Sequence, residues 1–428
     1  MTITQCEQAI LRVKAASAYS KLDEHLERRI KTEVVATVQA VLEESLKAEV
    51  SAYLANVVTE RPRRSGCYKR SLNTQYGHIP ALAVPKLRFA NSKREWQVLT
   101  RYKRSLTGLL DYAGYLYVMG LSLRDLQEAL YLLMDKVLSR SAINQVTLRV
   151  EERMLTHRQT PIAKTPFILI VDGVWVDIQY TLDRFKIDQA GHQRQCRQAE
   201  ERVILVAMAV WPDGSHQILH FKVSEQEDGA AWTAFFREMI ARQLDPQAVQ
   251  LVVSDGSKGL LEAMAQCLPQ ATQQRCITHK VRGMEPQLTY EQLPDTAEDG
   301  QTLSKAEAKE QRRFQIEQDA YAIYDAPSRA EALGRLQAFS EKWEPVEPKA
   351  IHTFKWGISR TLEFYRFEPA LYPLIRTTNL LERFFREFRN KADEIGAFPN
   401  ESSCLTLFFL VMLREHAKHD RLPVANNS

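Results

Sequence analysis

Paired cysteines are missing from this sequence. Its six cysteines, Cys6, Cys67, Cys196, Cys267, Cys276 and Cys404, are scattered, and no CxxC spacing occurs. That excludes a disulfide framework and suits free thiols in a reducing cytosol. Long apolar runs are missing too. The longest, residues 405–413, is interrupted by Thr406, and no window approaches the 18 apolar residues of a membrane span. The opening Met1-Thr2-Ile3-Thr4-Gln5 lacks the basic-then-apolar order of a secretion signal. Internal repeats and low-complexity tracts are absent, so solenoid and disordered classes drop out. The expectation is a cytoplasmic protein with no membrane partner.

What remains is a chain of 428 residues with 45% hydrophobic and 26% charged side chains, enough for two or three domains with an ordinary globular balance. The net charge of +4 is small but unevenly spread. Residues 60–104 carry twelve Lys or Arg against only Glu60 and Glu95, whereas residues 285–370 carry eleven basic and sixteen acidic side chains. A basic front end on a less basic body points to a polyanion partner.

Residues 1–58 read as a helical region for dimerisation, for reaching DNA or for plain packing, with Val34, Val38, Val41, Leu42, Leu46 and Val50 at three-and-four spacing. Residues 59–155 read as a DNA-binding region. Two strands, residues 68–75 and 79–87, flank Tyr76-Gly77-His78, and Arg63, Arg64, Lys69, Arg70, Lys86 and Arg88 surround them with interleaved Tyr68 and Tyr76. Such a hairpin suits a phosphate backbone, because each Lys or Arg contact releases condensed counterions; a solvated basic surface is the plain alternative. After it, Ser122 caps a helix that carries Arg124, and a second helix with Arg140 and Asn144 follows a break near residues 135–139. Two short helices so spaced fit a helix-turn-helix or an ordinary helical hairpin.

From residue 165 the texture changes to strands. Residues 167–176, 202–210 and 217–223 read as three antiparallel strands, with Trp211-Pro212-Asp213-Gly214 turning between the last two. A helix over 230–244, a strand over 249–253, a helix through Leu260, Leu261, Met264 and Leu268, and a strand over 272–277 complete residues 165–284. The fold class expected is α/β, a mixed sheet in the ribonuclease-H-like order, interrupted by an all-helical insertion at 285–370. Residues 371–418 supply two closing helices, and 419–428 a tail.

Within this frame Val253-Ser254-Asp255-Gly256 places an acid where a buried strand meets a glycine turn. Asp172 lies in the first strand, and Glu382 opens a late helix. Three carboxylates from separate elements are the set that holds two Mg2+ ions about 4 Å apart for phosphodiester chemistry, with Mn2+ able to substitute. Each acid also has an ordinary use: Asp172 in a strand turn, Asp255 as a helix cap, Glu382 paired with Arg386. Asp177, Asp213, Asp228 and Glu387 compete for the same roles.

The ordered blocks 253–260, Gln274-Arg275-Cys276-Ile277-Thr278-His279, Arg376-Thr377-Thr378-Asn379-Leu380-Leu381-Glu382-Arg383 and Phe398-Pro399-Asn400 resemble the Mutator-type transposases of bacterial insertion sequences. Upstream, 74–79, 84–88 and 120–125 fit the same likeness, which spans about residues 60–415. The resemblance implies a ribonuclease-H-like catalytic core whose Asp-Asp-Glu triad falls on Asp172, Asp255 and Glu382. It implies binding of terminal inverted repeats and target DNA by a homodimer, a nucleoid-associated setting, and strand cleavage and transfer. It places a Cys-x-x-His element on Cys276 and His279: half of a zinc site, a histidine near the scissile phosphate, or a structural pair. It places Arg282, Asn379 and Arg383 beside the DNA. Gly283 and Asn390 depart from the family's usual residues. A non-catalytic DNA-binding relative and a junction nuclease on the same fold are the rival readings.

Overall fold

The computed structural model describes residues 21–56, 62–88, 97–99, isolated positions between 109 and 131, and then 140–187, 191–291, 293 and 304–419. The chain divides into two compact units, residues 1–153 and 154–428.

In the first unit, α1 (Lys21–Asn56) runs unbroken, and β1 (Arg63–Thr74) pairs antiparallel with β2 (Gly77–Arg88). Leu46 from the helix joins Leu72, Ile79, Leu82, Val84 and Leu99 in one buried cluster, with Val35, Val38 and Leu42 packed against it. The helical stripe is thus spent on the hairpin, while Val34 and Val41, expected on that stripe, are exposed. The helix-turn-helix expected after the hairpin falls mostly outside the described residues. So do Arg124 and the side chains of Arg140 and Asn144; only the second helix, α2 (Arg140–Gln159), is described as an element.

The second unit is built on a six-stranded mixed sheet. β3 (Ile168–Ile187), β4 (Gln193–Val210) and β5 (His216–Ser224) are antiparallel neighbours. β6 (Leu251–Ser254) lies parallel to β3, and β7 (Thr272–Arg275) parallel to β6, giving the order β5-β4-β3-β6-β7. The run Val203 to Val210 is buried at every position, as a central strand covered on both faces requires. The β3–β4 pair extends well past residue 176, where a shorter strand was expected, into a ribbon whose tip exposes Phe185 and Ile187.

α3 (Gly229–Ala241) and α4 (Lys258–Cys267) cover one face of the sheet through Trp232, Phe235, Phe236, Met239, Leu260 and Met264. Their first turns touch backbone to backbone: a Cβ on Gly259 would lie 2.5 Å from the Gly229 nitrogen. Gly259→Ala therefore has to push α3 and α4 apart, an overpacking cost of about 1–3 kcal/mol. A calorimetric melt should show the lower Tm.

β7 ends at Arg275, earlier than expected: the Cys276 N–H makes a last ladder bond to Ser254 O (2.7 Å) and the chain then turns into α5 (Ile277–Arg282). The insertion contains α6 (Lys305–Tyr324), α7 (Arg329–Trp343) and α8 (Pro348–Lys355). Its return is locked by the buried Gln274 amide, which donates to Thr361 O (2.9 Å) and accepts from Phe364 N (3.0 Å). α9 (Asn379–Ile395), β8 (Ala397–Phe398) and α10 (Glu401–His419) close the unit, with β8 pairing alongside β3 at Asp177 and Ile178. No described helix is long and apolar enough to cross a membrane.

Candidate active site

Two of the expected acids, Asp172 and Glu382, border one cavity, and Asp255, which does not line it, lies near enough for its charge to bear on Asp172. Asp172 sits in the middle of β3 opposite Val206, and its Oδ1 accepts from the Gly173 N–H at 2.9 Å. Asp255 follows the last residue of β6; its Oδ1 accepts from Ser257 N at 3.0 Å, and its carbonyl accepts from Arg275 Nε at 3.1 Å. The helix cap is Ser257 rather than Asp255. Gly256 takes φ +92°, which a β-carbon resists, so this turn after Asp255 requires glycine. Glu382 lies in the first turn of α9 and accepts from Thr378 Oγ1 at 3.1 Å.

Their charges register on one another. Burial pushes the Asp172 carboxyl up to about 6, against its Gly173 hydrogen bond and His279, with the charges of Asp255 and Glu382 adding to the rise. His279 is held up at about 9, chiefly by its hydrogen bond with Cys276 and then by the charges of Cys276, Asp172 and Glu382, against burial. Burial opposes ionisation of the Cys276 thiol, yet hydrogen bonds from His279 and Thr378 bring it below its ordinary value. The Thr378 N–H donates to Cys276 Sγ at 3.4 Å while its hydroxyl donates to Glu382, so one threonine serves both Cys276 and Glu382. Ligand atoms of Cys276, His279 and Glu382 all lie within 4.8 Å of one another. Cys276→Ala should drop the His279 imidazolium from about 9 toward the ordinary histidine range near about 6.5, read by NMR titration.

Asp172, Gly173, His279 and Glu382 border a cavity of about 520 Å3 whose other wall includes Arg282, Arg386 and Arg389. Arg386 was named from the sequence only as an ion-pair partner for Glu382, and Arg389 was not singled out. Their offsets of four and seven residues from Glu382 put them on the same helix face, the signal that could have found them. Asn379 and Arg383 lie exposed on α9. The competing acids have other work: Asp228 caps α3 by accepting from Ala231 N, Asp213 accepts from Ser215, Glu387 pairs with Arg414 at 3.5 Å, and Asp177 is exposed opposite Glu201.

One acid at this place went unnoticed in the sequence. Glu227, in the connection from β5 to α3, is pushed up to about 7, first by burial and then by the charges of Asp255 and Asp172. The hairpin of the first unit leaves Arg63, Arg64, Lys69, Lys86 and Arg88 exposed and Arg70 half-buried, with the Lys86 ammonium 5.7 Å from the Tyr68 ring centre.

The family described as Transposase, Mutator family, matches residues 1–421. The chain belongs to the Mutator family of transposases. Among its relatives, the transposase for insertion sequence element ISRM5 of Rhizobium meliloti is 27% identical over 384 residues, covering 89% of this chain and 86% of that protein. The transposase for IS1081 of Mycobacterium tuberculosis is 26% identical over 358 residues, covering 83% and 76%. The transposase for IS905 of Lactococcus lactis is 23% identical over 373 residues, covering 86% and 85%. Among solved structures, the Drosophila P element transposase strand transfer complex is similar at TM-score 0.38 and 10% identity, covering 71% of this chain and 91% of that one. That likeness is too loose to place any residue of this Mutator-family chain.

Proposed function

We propose that this Mutator-family chain is an active DNA transposase with a ribonuclease-H-like core and an Asp-Asp-Glu centre at Asp172, Asp255 and Glu382. The observation that carries this reading is the electrostatic coupling of Asp172 to Asp255, Glu382 and His279, which come from four separate elements. The strand order, with three antiparallel strands followed by two parallel ones, supports the fold assignment.

The donor set fits hard divalent cations, which favour several carboxylate oxygens. Burial first, and then the charges of Asp255 and Glu382, make ionisation of Asp172 unfavourable without a cation beside it. Two Mg2+ ions, or Mn2+ in their place, would be held by Asp172, Asp255 and Glu382. When bound, they would activate an attacking oxygen and neutralise a departing one.

His279 stays protonated across neutral pH and faces the same cavity, so it can donate to a non-bridging phosphate oxygen. Arg282, Arg386 and Arg389 line the approach and can pair with the backbone on either side of the scissile bond. Arg63, Arg64, Lys69, Arg70, Lys86 and Arg88 of the hairpin would grip the element's terminal inverted repeats, with Arg124, Arg140 and Asn144 beside them; Asn379 and Arg383 would contact DNA near the centre. In this scheme water cuts one strand at the repeat end, and the freed 3′-hydroxyl then attacks a target phosphodiester, displacing one of its oxygens. The active species would be a homodimer holding both ends.

The test is incubation of the protein with duplex DNA carrying its element's ends, in Mg2+ and in EDTA. Nicking at the repeat boundary in Mg2+ alone is expected. Repeat binding without nicking in either Mg2+ or Mn2+ would mean a DNA-binding protein that does not cut.

A further inference from the structure

The Cys-x-x-His element finds a third donor in space. Cys276 is the N-cap of α5 and His279 its third residue, positions that face each other across the first turn of a helix. Glu382 arrives from α9, far along the chain. The Cys276 sulfur, a ring nitrogen of His279 and a carboxylate oxygen of Glu382 all lie within 4.8 Å of one another. Ligand atoms around a four-coordinate zinc ion stand about 3.5 Å apart, given bonds of about 2.0–2.3 Å. Small side-chain rotations would therefore close the three on one ion.

Two helix starts are fastened together here. The Ile277 N–H donates to Arg376 O (3.2 Å), tying the start of α5 to the chain entering α9. The Thr378 N–H donates to Cys276 Sγ at 3.4 Å, and its hydroxyl donates to Glu382 Oε1 at 3.1 Å. One threonine thus orients two of the three donors, as the outer partners of a metal site do. The His279 ring is under-used, since its buried Nδ1 makes no hydrogen bond of ordinary geometry. His279 and Glu382 also border the cavity of about 520 Å3, which leaves a fourth position open to water.

A thiolate, an imidazole and a single carboxylate form a donor set that soft and borderline ions choose and Mg2+ does not. We propose that Cys276, His279 and Glu382 form a Zn2+ site, distinct from the hard-ion site and sharing Glu382 with it. The site stands without the transposase reading; only its consequence rests on that reading. Zn2+ bound here would withdraw Glu382 from Mg2+ and the His279 proton from the phosphate, so the loaded protein would not cut.

The test titrates the full chain, without DNA, with Co2+, whose spectrum reports its ligands. Wild type should show a thiolate-to-cobalt charge-transfer band and the intense visible absorption of a four-coordinate ion. Zn2+ should bleach both, and excess Mg2+ should not. Cys276→Ser should lose the charge-transfer band. Glu382→Gln, at a half-buried position, should keep the band but weaken Co2+ binding by about 10- to 100-fold or more. Asp255→Asn should keep both band and affinity, which separates this site from the proposed triad.

Three results would overturn the site: no charge-transfer band in wild type, a band surviving in Cys276→Ser through the more exposed Cys67 or Cys196, or unchanged affinity in Glu382→Gln. A merely structural Cys276–His279 contact predicts the first. In Mg2+, nicking should fall over the same Zn2+ range that bleaches the cobalt spectrum. Nicking that continues while Zn2+ fills the site would uphold the site and take Glu382 out of the proposed triad.

Discussion

Asp255→Asn is expected to lower Mg2+-dependent nicking by about 10³-fold or more while leaving repeat binding intact. The substitution suits the site because asparagine keeps an acceptor for the Ser257 N–H, now 3.0 Å from Asp255 Oδ1, so the turn through Gly256 into α4 is retained. What disappears is one unit of negative charge facing Asp172 and Glu227. Loss of cleavage with normal melting and normal gel-shift behaviour on repeat DNA would place the defect at the chemical step. Nicking at the wild-type rate would remove Asp255 from the centre.

Metal-free protein should lose stability as pH rises, and added Mg2+ should restore it. Asp172 and Glu227 titrate in the folded state at about 6 and about 7, above the ordinary carboxyl values near about 4 that apply when the chain unfolds. The folded state therefore binds more protons than the unfolded state in between. Their contribution is complete below about pH 4 and is lost as pH climbs through 6 and 7. Taken as one coupled group, the loss is on the order of 3 kcal/mol, Glu227 being discounted for its solvent exposure.

His157 and His220, held below the ordinary histidine range first by burial, work in the opposite direction over the same interval. The signature is thus read as a difference. Calorimetry in EDTA and in Mg2+, from about pH 5 to pH 8, should show a Mg2+-induced rise in Tm that grows with pH. Asp172→Asn should flatten it. An equal Mg2+ effect at both ends of the range would mean that the ion does not meet Asp172.

Much of the fold was legible because its elements are strongly patterned. Val249 to Val253 running into Asp255 and Gly256, then Leu260 and Met264 on one face, announced a strand, a turn and a helix at the place where they occur. The insertion helices ending at Tyr324 and Trp343 were equally plain from Pro345 and Pro348 after them and the apolar spacing within them. The β3–β4 ribbon was not, since residues 181–187 and 193–201 are largely polar and exposed on both faces, and no alternation marks a strand that buries neither side.

The site shows the same division. Asp255 could be found from its own neighbours in sequence, and Glu382 from the block that resembles the family. Glu227 could not, because Glu225, Gln226, Glu227 and Asp228 form an ordinary polar connection whose acids look alike. What separates them is contact: Asp228 is spent on the Ala231 N–H, while Glu227 turns inward over Gly173, far away in the chain. A glycine valued for what its missing side chain admits leaves no periodic trace.

The most direct measurement of the central claim is an anomalous diffraction map from crystals of the protein soaked in Mn2+. The account predicts Mn2+ bounded by the carboxylates of Asp172, Asp255 and Glu382. Mn2+ bound only elsewhere on the surface, with those three side chains directed apart, would contradict it.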